Sequence, residues 1–258
     1  MAEVTLSSSI QTTLRSSQRV SSLQARNQER LSTGNKFNSF VDNPRAVSVS
    51  RSLTNRASDL QGIKNNISQG VTKLRSTQAG LETVGKTLNQ LKATALQLEK
   101  SSSPQETASL NEQFNSIKQQ LDFVTQDTSF GGTNFISSSP DSANIDFNED
   151  GSSGIDIQGT ASDSTSLGVT TSVASIDAAI STVRSSIESF GASQATLSIR
   201  EDFTEKLSNQ LEAGAAKEVQ ADLNEEAAVS LSLSTRGALA AAATNIASQS
   251  ERSIIQLF

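Results

Sequence analysis

LQGIKNNISQGVTKLRSTQAGLETVGKTLNQLKATALQL, residues 60–98, decides the fold class. Positions 60, 63, 67, 70, 74, 77, 81, 84, 88, 91, 95 and 98 alternate spacings of three and four, and all but Gly70 and Thr77 are apolar. Leu60, Ile63, Ile67, Leu74, Leu81, Val84, Leu88 and Leu91 carry most of this seam. Such alternation, held over many turns, marks a helix buried along one stripe against partner helices. At 1.5 Å per residue the segment predicts a rod of about 58 Å.

Downstream, Ser103-Pro104-Gln105-Glu106 reads as a helix start: a capping serine, proline at the first helical position and a glutamate placed to close a capping box. Leu110, Phe114, Ile117, Leu121 and Val124 then continue the four–three spacing, and the short break predicts a helix antiparallel to the first. Phe130-Gly131-Gly132-Thr133 ends that pattern with turn chemistry. Over 143–158 the period falls to two. Ile145 and Phe147 alternate with polar neighbours, Asn148-Glu149-Asp150-Gly151 supplies a turn, and Ile155 and Ile157 alternate again, which predicts a β-hairpin. Helical spacing resumes at Ile176, Ile180, Val183, Ile187, Phe190 and Leu197, then drifts to Phe203, Leu207 and Leu211 until Ala213-Gly214. This segment is expected to pack along the 60–98 rod as the third member of a bundle.

Both chain ends are helical with little apolar surface. The first 36 residues offer Leu6, Ile10 and Leu14, with Val20, Leu23 and Leu31 further on; the last 40 offer Leu239, Ala243, Ile246, Ile254 and Leu257. Helices with so narrow an apolar face are marginal alone in water. The ends must pair with each other or with copies in other chains, and this points to assembly. The fold class is therefore mainly α, a long antiparallel bundle or coiled coil built from the two halves of the chain, with a small β-hairpin insertion.

Composition narrows the chemistry. With no His and no Cys, the chain lacks the commonest general base, the His-dependent nucleophile systems, disulfides and thiolate or imidazole zinc sites. No catalytic or cofactor-binding residue is assigned. Residues 139–170 hold six acids and no Lys or Arg, while the remainder of the chain is formally neutral. The basic first 36 residues lack interleaved aromatics, so no nucleic-acid partner is expected. No stretch is apolar enough to span a membrane, and the first residues lack the pattern of a cleaved signal. Asp146, Asn148, Asp150 and Gly151 have the spacing of half an EF-hand loop, but Ile157 stands where the closing glutamate belongs, so these residues are read as a hairpin tip and no metal is expected.

One stretch is more specific. Glu29-Arg30-Leu31-Ser32-Thr33-Gly34, with Phe37-Asn38-Ser39 and Asp42-Asn43-Pro44, resembles the motif that follows the N-terminal helix of bacterial flagellins. The Asp-Asn-Pro form and Asn55-Arg56-Ala57-Ser58-Asp59-Leu60 look closest to alphaproteobacterial members, and the likeness extends through Thr128–Gly132 and from Lys217 to the end. The resemblance implies a filament subunit for swimming motility. Residues 1–36 and 219–258 would pair as an inner coiled coil, 37–59 connect, 60–136 and 172–218 form the shaft, and 137–171 project as a variable insertion. It also implies self-assembly as a homopolymer, export without a cleaved signal through a type III apparatus with a chaperone, and contacts with hook-associated and cap proteins. Glu29, Arg30 and Leu31 join the terminal apolar residues as expected assembly positions. Alternatives with other roles are the hook–filament junction protein of the same helical family, a cytoplasmic coiled-coil signalling rod, and a carboxylate enzyme.

Where flagellins sensed by the mammalian innate receptor carry an Arg and a Glu, this chain has Gln90 and Ala93. Purified monomer should therefore activate a receptor-reporter cell line weakly or not at all; a strong response would contradict this reading.

Overall fold

The computed structural model describes the backbone of residues 8–255, and the side chains of all but 9 and 250–255 of these. Five helices and one hairpin follow in order: α1 (Ser8–Thr33), α2 (Pro44–Lys100), α3 (Pro104–Asp127), β1 (Ser142–Asp146), β2 (Gly154–Gln158), α4 (Val173–Val219) and α5 (Leu223–Ile255). They form two compact units. One comes from the two chain ends, up to Asn55 and from Leu211 onward; the other is Arg56–Gln210.

The central unit is organised by the 60–98 seam. Ten of its twelve positions are buried, and Ile63 and Leu98 are half-buried against the core. Its partner is α4, running antiparallel. Lys92 Nζ reaches Asp177 Oδ1 at 2.6 Å, Gln78 lies against Gly191, and Lys64 Nζ reaches Glu205 Oε2 at 3.1 Å. Each of these pairs lies fourteen residues from the next on both helices, so one register holds over two successive double heptads. The ion pairs are exposed enough to contribute little energy; they report the register that burial sets.

That register corrects the expected drift in α4. The inward positions continue in four–three spacing through Thr204 and Ser208, both buried, and Ser208 Oγ donates to the Ala57 carbonyl at 3.0 Å. Phe203 is 53% exposed instead, beside the Arg200 guanidinium. Hydrophobicity alone misleads here, because a hydroxyl that bonds a backbone carbonyl can occupy a seam position at little cost. A second stripe on α2 escapes a hydropathy pattern for the same reason. Gly80, Thr87 and Thr94 are buried seven residues apart, and both threonine hydroxyls bond carbonyls four residues back. Thr128, just past the end of α3, packs on Gly80. α3 runs antiparallel to α2, as its short connection requires.

Pro104 starts α3 after Ser103 as expected, but the capping box does not form. The Ser103 side chain makes no cap bond, and its hydroxyl turns to Gln105 Oε1 at 3.4 Å. α2 starts at Pro44, so most of 37–59 is helical; Asn43 Oδ1 caps it by accepting from the Ala46 N–H at 3.1 Å. In the turn before it, the Asp42 carboxyl is held below its usual range, first by the Ser39 N–H and then by the Ser39 hydroxyl. The group is charged at neutral pH, and its part in the turn is lost only as pH falls through that lowered value. α4 runs on through Ala213-Gly214 to Val219, and the break falls between it and Leu223.

The hairpin forms in the expected place, with Ile145 opposite Ile155 and Ala143 opposite Ile157. It does not simply project. Ile145 and Ile157 are buried with Phe135, Ile136 and Val169 in the same cluster as the α2 and α4 seam. Gly70 is the reason there is room: a Cβ there would overlap Ile145 Cδ1 and press on Leu197 at 3.2 Å. Arg56 Nε to Glu149 Oε1 (3.2 Å) and the Arg200 guanidinium over the Phe147 ring (4.8 Å) hold its outer end.

Ile145→Ala or Ile157→Ala should each cost about 2–5 kcal/mol in thermal or denaturant unfolding, as for other buried isoleucines. An unchanged transition would mean the hairpin is mere decoration.

Candidate assembly surface

The terminal unit pairs α1 with α5, antiparallel, and its seam is unlike the central one. On α1 the inward positions are Ile10, Thr13, Ser17, Val20, Gln24, Asn27 and Leu31; on α5 they are Glu226, Ser230, Leu233, Gly237, Ala240, Thr244 and Ala247. Heptad spacing persists, but apart from Ile10, Val20, Leu31 and Leu233 the residues are small or polar. Gly237 faces Val20 and Gln24, and Gln24 Nε2 donates to the Leu233 carbonyl at 3.2 Å.

Near the closed end sits a buried charge. Asn27 Nδ2 donates to Glu226 Oε2 (2.6 Å) and to the Glu226 carbonyl (2.9 Å), and Arg30 Nη1 reaches Glu226 Oε1 (3.1 Å). Glu226 also lies in the first turn of α5, where the helix dipole favours an anion. Asp222 caps that helix, its Oδ1 accepting from the Asn224 and Glu225 N–H groups. Backbone bonds from Lys36 N to the Val219 carbonyl (2.6 Å) and from Ala221 N to the Gly34 carbonyl (2.9 Å) tie the two connections together. Gly34, at φ +70°, makes the turn that ends α1.

Because small and polar residues fill most of the seam, several large apolar ones face outward. Leu14 and Leu23 on α1 and Leu223, Val229 and Leu231 on α5 are exposed, with Leu239 at 65% and Ile246 at 67%. In the α1–α2 connection Val41 is 93% exposed, and Phe40 is also exposed, under the Arg51 guanidinium. So of the expected assembly positions, Leu14, Leu239, Ala243 and Ile246 lie on the open surface, as does Glu29. Ile10 and Leu31 are half-buried, and Arg30 is committed to Glu226. Leu6 and Leu257 lie outside the described residues, as does the side chain of Ile254. The shaft-seam positions lie in the other unit and face its core. Sequence reading misses Asn27, Glu226 and Val41. The first two could be found by extending the heptad register through polar residues.

The hairpin tip uses its polar groups on itself. Asn148 Oδ1 accepts from Ser153 N (3.1 Å), Asp150 Oδ1 from Ser152 N (3.0 Å), and Gly151 takes φ +67°. The Ser152 N–H, and then its hydroxyl, hold the Asp150 carboxyl below its ordinary range. Asp146 begins the turn. Among the described residues no three His, Cys, Asp or Glu side chains are grouped to hold a metal ion, and no helix is long and apolar enough to cross a membrane.

The family model for the bacterial flagellin N-terminal helical region matches residues 4–141, more than half of the chain. Two flagellins of Caulobacter vibrioides, FljK and FljM, are 29% and 28% identical over 245 residues, each alignment covering 90% of this chain and 89% of theirs. Among solved structures, the crystal structure of Bacillus cereus flagellin aligns with 54% of this chain and 88% of its own, at 17% identity and a TM-score of 0.47.

Glu226→Ala should strip the Asn27 amide and the Arg30 guanidinium of their acceptor and loosen the α1–α5 pair by about 1–3 kcal/mol. Amide hydrogen exchange would read this as faster exchange over 20–31, with 67–95 unchanged and Glu226→Gln intermediate.

Proposed function

The chain belongs to the bacterial flagellin family, and from that premise we propose that its α1–α5 unit is the element through which it polymerises. It is a structural subunit of the flagellar filament, built for swimming motility, and its work is burial between copies rather than chemistry. The observation that carries this reading is the inverted distribution of the terminal pair. Its inner seam is mostly small and polar, with only Ile10, Val20, Leu31 and Leu233 as large apolar members, while Leu14, Leu23, Leu239 and Ile246 are left in water. An exposed apolar surface of this kind marks a protein partner, and in a self-assembling family the partner is another copy.

Residues 1–36 and 219–258 form the inner part of the filament in this reading, with Leu6, Ile10, Leu14, Leu31, Leu239, Ala243, Ile246, Ile254 and Leu257 at contacts between subunits. Residues 60–136 and 172–218 form the shaft, and 137–171 its outer insertion. The subunit is not an enzyme. It leaves the cell through the flagellar export apparatus with a chaperone, and joins a filament bounded by hook-associated and cap proteins.

Removing residues 1–36 should abolish polymerisation, checked by electron microscopy after seeding, while circular dichroism shows the 60–211 bundle still folded. Filaments grown from the shortened chain would refute the proposal.

A further inference from the structure

Resting on that assembly reading, we propose that the groove between α1 and α5 is a socket for the acidic end of α4 and start of α5 in a second copy of this chain. The groove has an apolar floor of Val20, Leu233 and Ala240, edged by Leu23, Leu239 and Ala243, and its rims carry Arg19 and Arg236. Both arginines are exposed, and no residue lining the groove is acidic. The charge is regional: residues 8–28 contain Arg15, Arg19 and Arg26 and no acid.

The complementary surface lies on the same chain. Residues 218–235 contain Glu218, Asp222, Glu225 and Glu226 and no Lys or Arg. Glu226 is consumed by Asn27 and Arg30, but Glu218, Asp222 and Glu225 are exposed. Asp222, Glu225 and the exposed Val229, three and four residues apart, share one flank of α5; Leu223 and Leu231 stand on other faces, and Glu218 lies in the last turn of α4. An apolar side chain flanked by carboxylates thus meets an apolar groove flanked by guanidiniums with opposite sign.

The two surfaces cannot satisfy each other within one chain. On α5 the groove is centred near Gly237 and the acidic strip near Leu223, fourteen residues or about 21 Å apart along one straight helix. A neighbour shifted along the coil by that distance brings its strip to the groove and leaves its own groove free. Such a contact joins unlike surfaces and propagates instead of closing, which is the geometry an open polymer requires.

The test is charge reversal in the full-length chain, read as elongation from parent filament seeds at low ionic strength. Arg19→Glu with Arg236→Glu, and separately Glu218→Lys with Glu225→Lys, should each slow elongation at least about tenfold, because like charges then meet. The chain carrying all four changes should recover most of the parent rate. Monomer circular dichroism checks folding; should a reversal reduce helicity, Arg19→Gln with Arg236→Gln replaces it and is expected to slow growth less than tenfold but measurably. Reversed pairs that elongate like the parent, or a fourfold variant as slow as either pair, overturn the socket while leaving the assembly reading intact. A parent chain that does not elongate overturns both.

Discussion

The antiparallel register of α2 against α4 is the constraint on which the rest of the central unit depends. Seam positions do not act singly: Ile67, Leu74, Leu81, Val84, Leu88 and Leu91 on α2 and Ile176, Val183, Phe190 and Leu197 on α4 are all buried in one cluster. A shift of either helix by one residue would turn the stripe out of that cluster. With the register held, Gly70 comes opposite Leu197 and leaves the gap that Ile145 fills, and Gly80 leaves the place that Thr128 fills. The hairpin and the end of α3 are therefore positioned by two missing side chains on one helix. Packing at near-crystalline density makes such absences as specific as a contact.

The two units use the same heptad grammar with different vocabularies. Ile, Leu, Val and Phe fill most of the central seam, whereas Thr, Ser, Gln, Asn, Gly and Ala fill most of the α1–α5 seam, leaving Ile10, Val20, Leu31 and Leu233 as its large apolar members around one buried Glu226. Burial of apolar surface, at about 25 cal/mol per Å², is what holds helices together; a seam with four large apolar residues among small and polar ones has less of it to offer. The terminal pair is thus specified by hydrogen bonds more than by burial, and a partly buried polar network of this kind fixes register at some cost in stability. In the assembly reading proposed above, its exposed apolar side chains are left for contacts between copies.

Much of this is legible in the order of residues alone. A three–four apolar spacing can be buried only as a helix, and a period of two bounded by Asn-Glu-Asp-Gly can be buried only as a hairpin, so α2, α3, most of α4 and the β1–β2 pair can be read directly. The Glu29–Pro44 motif points to the family, because it depends on residue identities rather than on hydrophobicity. Hydropathy misleads wherever a polar residue stands in a buried place. Thr204 and Ser208 hide the true α4 stripe behind Phe203, and Thr87 and Thr94 hide the second face of α2. Asn27 and Glu226 likewise hide the α1–α5 seam. Ser208, Thr87, Thr94 and Asn27 donate to carbonyls and Glu226 accepts from partner side chains, and that compensation is invisible in a hydropathy pattern.

The sequence by itself therefore determined the helical class, the place of the hairpin, the family and the need for partners at both ends, since periodicity, turn chemistry and motif identity are local properties. Only the tertiary structure decided which face of each terminal helix is inward, that Leu239 and Ile246 point to solvent, and that Ile145 and Ile157 belong to the core. Those facts depend on which residues meet across long stretches of chain. A narrow apolar stripe says that something must cover it; the partner's shape and polarity choose the side that is covered.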